Sequence, residues 1–210
     1  MTDPLIGLLE RSRQLGFLGP GPIEAHIAHA LAFASVVPAD PARALDLGAG
    51  GGLPGLVLAV RCWPGARWTF LDANVRRTEF LREAVVELGL SERVVVITER
   101  AEVVGRDPEH RGGHDLVVAR SFASPGVTAE CAAPLLSPSG RLVVSEPPAT
   151  EVDVRWPAGP LTELGLGPAA AEAVPLPDGS LVHLATLRLT TPAPDRYPRR
   201  VGIPAKRPLF

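Results

Sequence analysis

The stretch Ala44-Leu45-Asp46-Leu47-Gly48-Ala49-Gly50-Gly51-Gly52-Leu53-Pro54-Gly55 sets a short apolar run against a glycine-rich turn and a helix start. Ala44–Leu47 reads as a buried strand. Gly48, Gly50 and Gly52 let the backbone turn sharply and approach a ligand with no Cβ in the way. The helix that follows, 54–61, offers free N–H groups at its start, and Pro54 costs it no hydrogen bond there. Strand, glycine turn and helix together form the entry to a nucleotide-type cofactor site.

Outward from this stretch the pattern alternates. Strands are expected at 68–71, 94–98, 115–119 and 141–145, each a nearly continuous apolar run. Helices are expected at 75–88 and 126–136, and Pro138-Ser139-Gly140 reads as a turn. Such runs alternating with helices predict a parallel sheet covered on both faces. Two further strands, 171–174 and 181–189, flank the turn signal Pro177-Asp178-Gly179-Ser180 and form an antiparallel hairpin. The fold class is therefore α/β, a class I, Rossmann-like architecture with a mostly parallel seven-stranded sheet and a C-terminal antiparallel hairpin. Residues 1–40 are expected as a helical extension (a helix within 1–16, a second over 23–37), 41–190 as the main domain, and 191–210 as a basic, proline-rich tail. Residues 147–168, rich in Pro and Gly, read as loop.

The 210 residues carry 21 Lys and Arg against 23 Asp and Glu, which argues against nucleic-acid binding by bulk charge but not by a local basic patch. Two distant cysteines without CxxC spacing point to a reducing compartment and no zinc site. There is no signal pattern and no apolar run of membrane-spanning length, so a cytoplasmic location with neither membrane nor metal partner is expected. His26 and His29 read as a partly buried pair, and His110 and His114 as solvated loop residues.

Two acids frame the choice of cofactor. Asp72 ends the second strand, 22 residues after Gly50, where a carboxylate accepts hydrogen bonds from a ribose. That position suits NAD and S-adenosylmethionine equally. Asp46 lies beneath the loop, where it would favour a sulfonium and an ammonium and repel a pyrophosphate. The balance favours S-adenosylmethionine, and hence a methyltransferase.

Five segments carry a more specific signal: LDLGAGGGLPGLVLA (45–59), FLDANVRRTEFLREAVVELGL (70–90), ERAE (99–102), DLVVARSFAS (115–124) and PLLSPSGRLVV (134–144). With the basic RYPRRVGIPAKRPL (196–209), they resemble the bacterial small-subunit (16S) ribosomal RNA guanine-N7 methyltransferase family. The resemblance implies S-adenosylmethionine as cofactor and ribosomal RNA or the small ribosomal subunit as partner. By position it assigns the methionine side of the cofactor to the loop, Gly48, Ala49, Gly50, Gly52 and Leu53, over Asp46. Asp72 and Ala73 would take the ribose, and Ala101 and Glu102 would flank the adenine. Arg120 would sit at the pocket mouth and position the reactants; no other catalytic group is expected. RNA would meet Arg76, Arg77, Arg196, Arg199, Arg200, Lys206 and Arg207, with Tyr197 available to stack on a base. The chain departs from the family in two places. His29-Ala30 replaces an Asp-Ser pair in the N-terminal helices, and Glu146-Pro147 replaces Lys-Gly after strand five. Those changes leave a second reading open, a diverged methyltransferase acting on another acceptor.

Overall fold

A computed structural model describes residues 3–148 and 151–210. Residues 1–2 of the expected first helix and 149–150 of the expected 147–168 loop lie outside the described residues. Helices α1 (Pro4–Gln14) and α2 (Ile23–Ser35) precede β1 (Arg43–Leu47), α3 (Gly55–Arg61), β2 (Arg67–Asp72) and α4 (Val75–Glu87). Then come β3 (Val94–Thr98), α5 (Ala101–Val104), β4 (His114–Ala119), α6 (Pro125–Ala132) and β5 (Leu136–Glu146). The chain continues through α7 (Val152–Arg155), α8 (Ala158–Glu163), β6 (Ala170–Pro175), β7 (Leu181–Arg188) and α9 (Ile203–Lys206).

The sheet order is β3-β2-β1-β4-β5-β7-β6. β1 to β5 run parallel, and the β6–β7 hairpin joins through antiparallel pairing of β7 with β5. This is the expected class I architecture. The order reverses on either side of β1, so the crevice where open α/β sheets bind ligands lies beyond the carboxyl ends of β1 and β4.

Alternate strand residues serve two cores. Ala44, Leu116, Val118 and Val143 face the core formed with α1 to α4. Leu45, Leu47, Val117 and Val144 face the core formed with α5, α6, α8 and the C-terminal tail. Burial on both faces is why these strands read as unbroken apolar runs. α1 and α2 share the first core directly, through Leu5, Leu8, Ile27 and Phe33.

Three expectations change in detail. The helix expected over 126–136 ends at Ala132, passes through one 3₁₀ turn containing Pro134, and gives way to strand at Leu136. The expected turn at 138–140 is an irregularity within β5, where Ser139 has φ 66° and the register against β4 shifts. The 147–168 segment holds α7 and α8, which bring Trp156, Leu161 and Leu164 into the second core. Both helices are too short to show a periodicity. Among the described residues, no helix is long and apolar enough to cross a membrane.

Candidate active site

The glycine turn leaves β1 with the N–H groups of Gly48 and Ala49 both donating to the Leu71 carbonyl, at 2.8 and 3.0 Å. This ties the loop to the end of β2. Gly48, Gly50 and Gly52 have φ of 75°, 52° and 97°, the region that glycine alone enters cheaply. The other two glycines of the run answer to packing instead. A Cβ on Gly55 would lie 2.5 Å from Asp46 Oδ2, so α3 can rest on β1 only with glycine there. A Cβ on Gly51 would lie 2.5 Å from Ser12 Oγ, which donates to the Gly51 carbonyl at 2.9 Å. The C-terminal part of α1 thus clamps the loop from outside.

Asp72 closes β2 and faces the crevice. Its Oδ2 accepts from Gly50 N–H at 2.9 Å and its Oδ1 from Asn74 N–H at 2.8 Å, while Arg77 Nη1 stands 3.8 Å from Oδ2. Each carboxylate oxygen keeps a lone pair for a further donor. Asp46 is placed differently. Its carboxyl is fully buried, takes the Gly55 N–H on Oδ2 at 2.7 Å, and has no hydrogen-bond partner on Oδ1 among the described residues. Burial pushes it up to about 7, and Asp72 adds to the rise. Asp46 therefore lines neither cleft; it stands behind the loop, as an acid in reserve beneath it.

Two clefts open around the loop. The first, about 310 Å³, is bounded by Gly48, Asp72, Ala73, Ala101, Glu102 and Phe122. The second, about 240 Å³, is bounded by Ala49, Gly50, Leu53, Leu18 and Arg120. Gly48, Arg77 and Ser121 border both, so they are two halves of one crevice. The expected adenosine residues Asp72, Ala73, Ala101 and Glu102 fall on the first half. The expected methionine residues Ala49, Gly50, Leu53 and Arg120 fall on the second, with Gly48 between them. Gly52 borders neither half; a Cβ there would strike Leu56.

Arg120 leaves β4 at the mouth of the crevice, and its Nη2 donates to His26 Nδ1 at 3.0 Å. An arginine only donates, so the His26 ring proton sits on Nε2, which faces the Gly19 carbonyl at 3.2 Å. Arg120 Nη1 is buried with no hydrogen-bond partner among the described residues. On the same helix as His26, His29 Nε2 lies 3.2 Å from Ser145 Oγ, and burial lowers this imidazole to about 4. His26 and His29 thus bring α2 against Arg120 and Ser145 from outside the crevice, across roughly a hundred residues of sequence. Ser121, with φ 55°, and Phe122, which packs over Gly48, complete the mouth. Sequence reasoning passed over both; the Arg-Ser-Phe-Ala run after an apolar strand was the available signal.

These features fit S-adenosylmethionine. A partly free carboxylate at Asp72 suits ribose hydroxyls, the buried acid Asp46 suits a cation above the loop, and the unpartnered Arg120 Nη1 suits an anionic group. The expected solvated reading of His114 is corrected. It is buried at the start of β4, with Nδ1 on the Leu135 carbonyl and Nε2 near Thr69 Oγ1, and burial lowers it to about 4.

The basic residues separate into groups. Arg76 lies over the Phe17 ring and Arg77 borders both cleft halves. Arg199 is committed inward, donating through Nε and Nη2 to the buried Glu130 carboxylate. Arg196 lies 4.8 Å from the centroid of the buried Tyr197 ring, which removes that ring from base stacking. Arg200, Lys206 and Arg207 are exposed. The tail as a whole is docked. Arg111 holds the carbonyls of Ala193, Pro194 and Tyr197, Gly202 N–H donates to Glu102 Oε1 at 2.9 Å, and Ala205 borders the first cleft. Glu102 therefore anchors the tail behind the expected adenine position.

Residues 21–153 match the family model GidB, described as rRNA small subunit methyltransferase G. The ribosomal RNA small subunit methyltransferase G of Prochlorococcus marinus (strain MIT 9313) is 43% identical over 171 residues, covering 81% of this chain and 69% of its own. That of Deinococcus radiodurans is 40% identical over 169 residues, covering 80% and 66%. An O-methyltransferase from Bacillus cereus, solved in complex with SAH, is similar in fold, with TM-score 0.63 and 17% identity over 90% of this chain and 92% of its own. With the glycine loop, Asp72 and Arg120 in one crevice, and with these matches over most of its length, the chain belongs to the GidB family, rRNA small subunit methyltransferase G.

Proposed function

We propose that this S-adenosylmethionine-dependent methyltransferase methylates N7 of a guanine in small-subunit ribosomal RNA. The observation that carries the reading is the crevice around Gly48, which joins a ribose acceptor, Asp72, to a partly buried guanidinium, Arg120, at the carboxyl ends of β2 and β4. S-adenosylmethionine, when bound, supplies an electrophilic methyl group on a sulfonium. Guanine N7 offers a lone pair and carries no proton, so the transfer calls for no general base. This agrees with crevice linings that contain no histidine among the described residues, the nearby His26 and His29 being tied to Arg120 and Ser145. The residues then act by alignment and by exclusion of water, with positioning as the main contribution. Asp72, Ala73 and Ala101 would hold the adenosine, Gly48 to Gly51 and Leu53 the methionine side, and Arg120 an anionic group of either substrate at the mouth. Arg77, Arg200, Lys206 and Arg207 remain exposed enough to meet phosphate.

The test is transfer of a labelled methyl group to small ribosomal subunits lacking the modification, followed by nucleoside analysis. The expected product is 7-methylguanosine. Arg120→Ala should lower kcat/KM roughly 100-fold, the scale of a lost charge-assisted contact of about 3 kcal/mol. Label entering a protein or small molecule while RNA stays unlabelled would replace this reading with the other-acceptor one.

A further inference from the structure

A third cavity of about 270 Å³ adjoins the donor crevice and shares its Ser121–Ala123 wall. Its far side is made by Ser145 and Glu146 at the end of β5 and by Arg155 and Trp156 after them. Glu146 brings the one carboxylate among the described residues bordering it. That side chain is 7% exposed and is gripped on both oxygens. Arg155 Nε donates to Oε2, and Trp156 Nε1 donates to Oε1 at 3.1 Å. One donor on each oxygen orients the carboxylate and leaves a second lone pair on each.

Two parallel acceptors of this kind match one nucleobase edge. Guanine alone presents two adjacent donors, N1–H and the 2-amino group. Adenine sets one donor beside an acceptor, cytosine one donor beside two acceptors, and uracil one N–H between two carbonyls. A guanine held by that edge also keeps N7 on its opposite side, free to face the Ser121–Ala123 wall that the two cavities share. Enzymes that modify a base in RNA or DNA take it out of its stack and read it this way, with an aromatic neighbour such as Phe122 against its face.

We propose that Glu146 is a specificity-determining residue that reads the N1–H and 2-amino donors of the acceptor guanine, with Arg155 and Trp156 holding its carboxylate in place. This rests on the guanine-N7 reading. It also gives a role to the acid that stands where the resembled family usually has lysine: Arg155 supplies the compensating positive charge.

The experiment compares kcat/KM of the full chain on an RNA fragment bearing the target guanosine and on the same fragment with inosine there, which lacks only the 2-amino group. The wild-type enzyme should prefer guanosine by roughly 10-fold or more, the scale of one buried acceptor left unpaired. Glu146→Gln should bring the ratio close to one while S-adenosylhomocysteine binding holds. A residue that only ties α7 to β5 would slow both fragments equally and leave the ratio unchanged, and that outcome overturns the proposal. Equal use of guanosine and inosine by the wild type overturns it without any variant. Absence of N7 methylation on either fragment, with label on another acceptor, is instead the failure of the underlying reading and takes the proposal with it.

Discussion

Asp46 titrates near neutrality, and Asp46→Asn isolates the effect. The carboxyl is fully buried and is raised from 3.8 to about 7, with burial as the main cause. A folded value above the unfolded one means that the native state holds the extra proton between those two pH values. Stability from this group is then complete below about 4 and is lost as pH rises through about 7. Roughly three pKa units at about 1.36 kcal/mol each set an upper scale of about 4 kcal/mol for the loss. Asn keeps an acceptor for the Gly55 N–H and cannot ionise. Its amide adds a pH-independent offset of roughly 1–3 kcal/mol if it finds no acceptor. The assay is urea unfolding of both proteins from about pH 5 to about pH 8.5 at fixed ionic strength, read as the difference at each pH. Other titrating groups, including half-buried His29 and buried His114, largely cancel in that difference. Asp46→Asn should gain on the wild type steadily up to about pH 7 and then level off. A flat difference across this range would refute the reasoning, because it would mean an Asp46 that is ionised throughout.

The remaining predictions address the loop and the tail. Gly48→Ala forces a side chain into φ 75° with its Cβ 2.6 Å from Phe122 Cδ2. Backbone strain of about 1–2 kcal/mol and a displaced ring should weaken S-adenosylhomocysteine binding by more than about 10-fold in calorimetry. Arg199→Ala strands the Glu130 carboxylate, whose side chain is 0% exposed. It should destabilise the fold by about 3–5 kcal/mol in thermal melts, far more than Arg200→Ala, whose side chain is exposed.

Much of this was legible in sequence because its causes are local. Strands buried on both faces write themselves as apolar runs, and a tight turn against a ligand demands glycine at Gly48 and Gly50. What escaped depends on distant partners. Gly51 borders the second cleft half, yet what demands glycine there is Ser12 at the end of α1. Arg199 looked like an RNA contact in a basic tail, yet Glu130, 69 residues earlier, claims it. Tyr197 lost its stacking role to burial. Phe122 joins the crevice, and His26 meets Arg120, only because β4, α2 and the loop meet in space. Glu146 stood out only as an acid in place of a lysine, and its pairing with Arg155 and Trp156 was invisible while 147–168 read as loop.

A crystal structure of the full chain with S-adenosylhomocysteine tests the central claim most directly. Ribose hydroxyls are expected within hydrogen-bond distance of Asp72, the adenine beside Ala101, and the homocysteine sulfur between Gly48 and Ser121 at the opening of the third cavity. A ligand whose ribose does not reach Asp72, or whose sulfur points away from the Ser121–Ala123 wall, would contradict that claim.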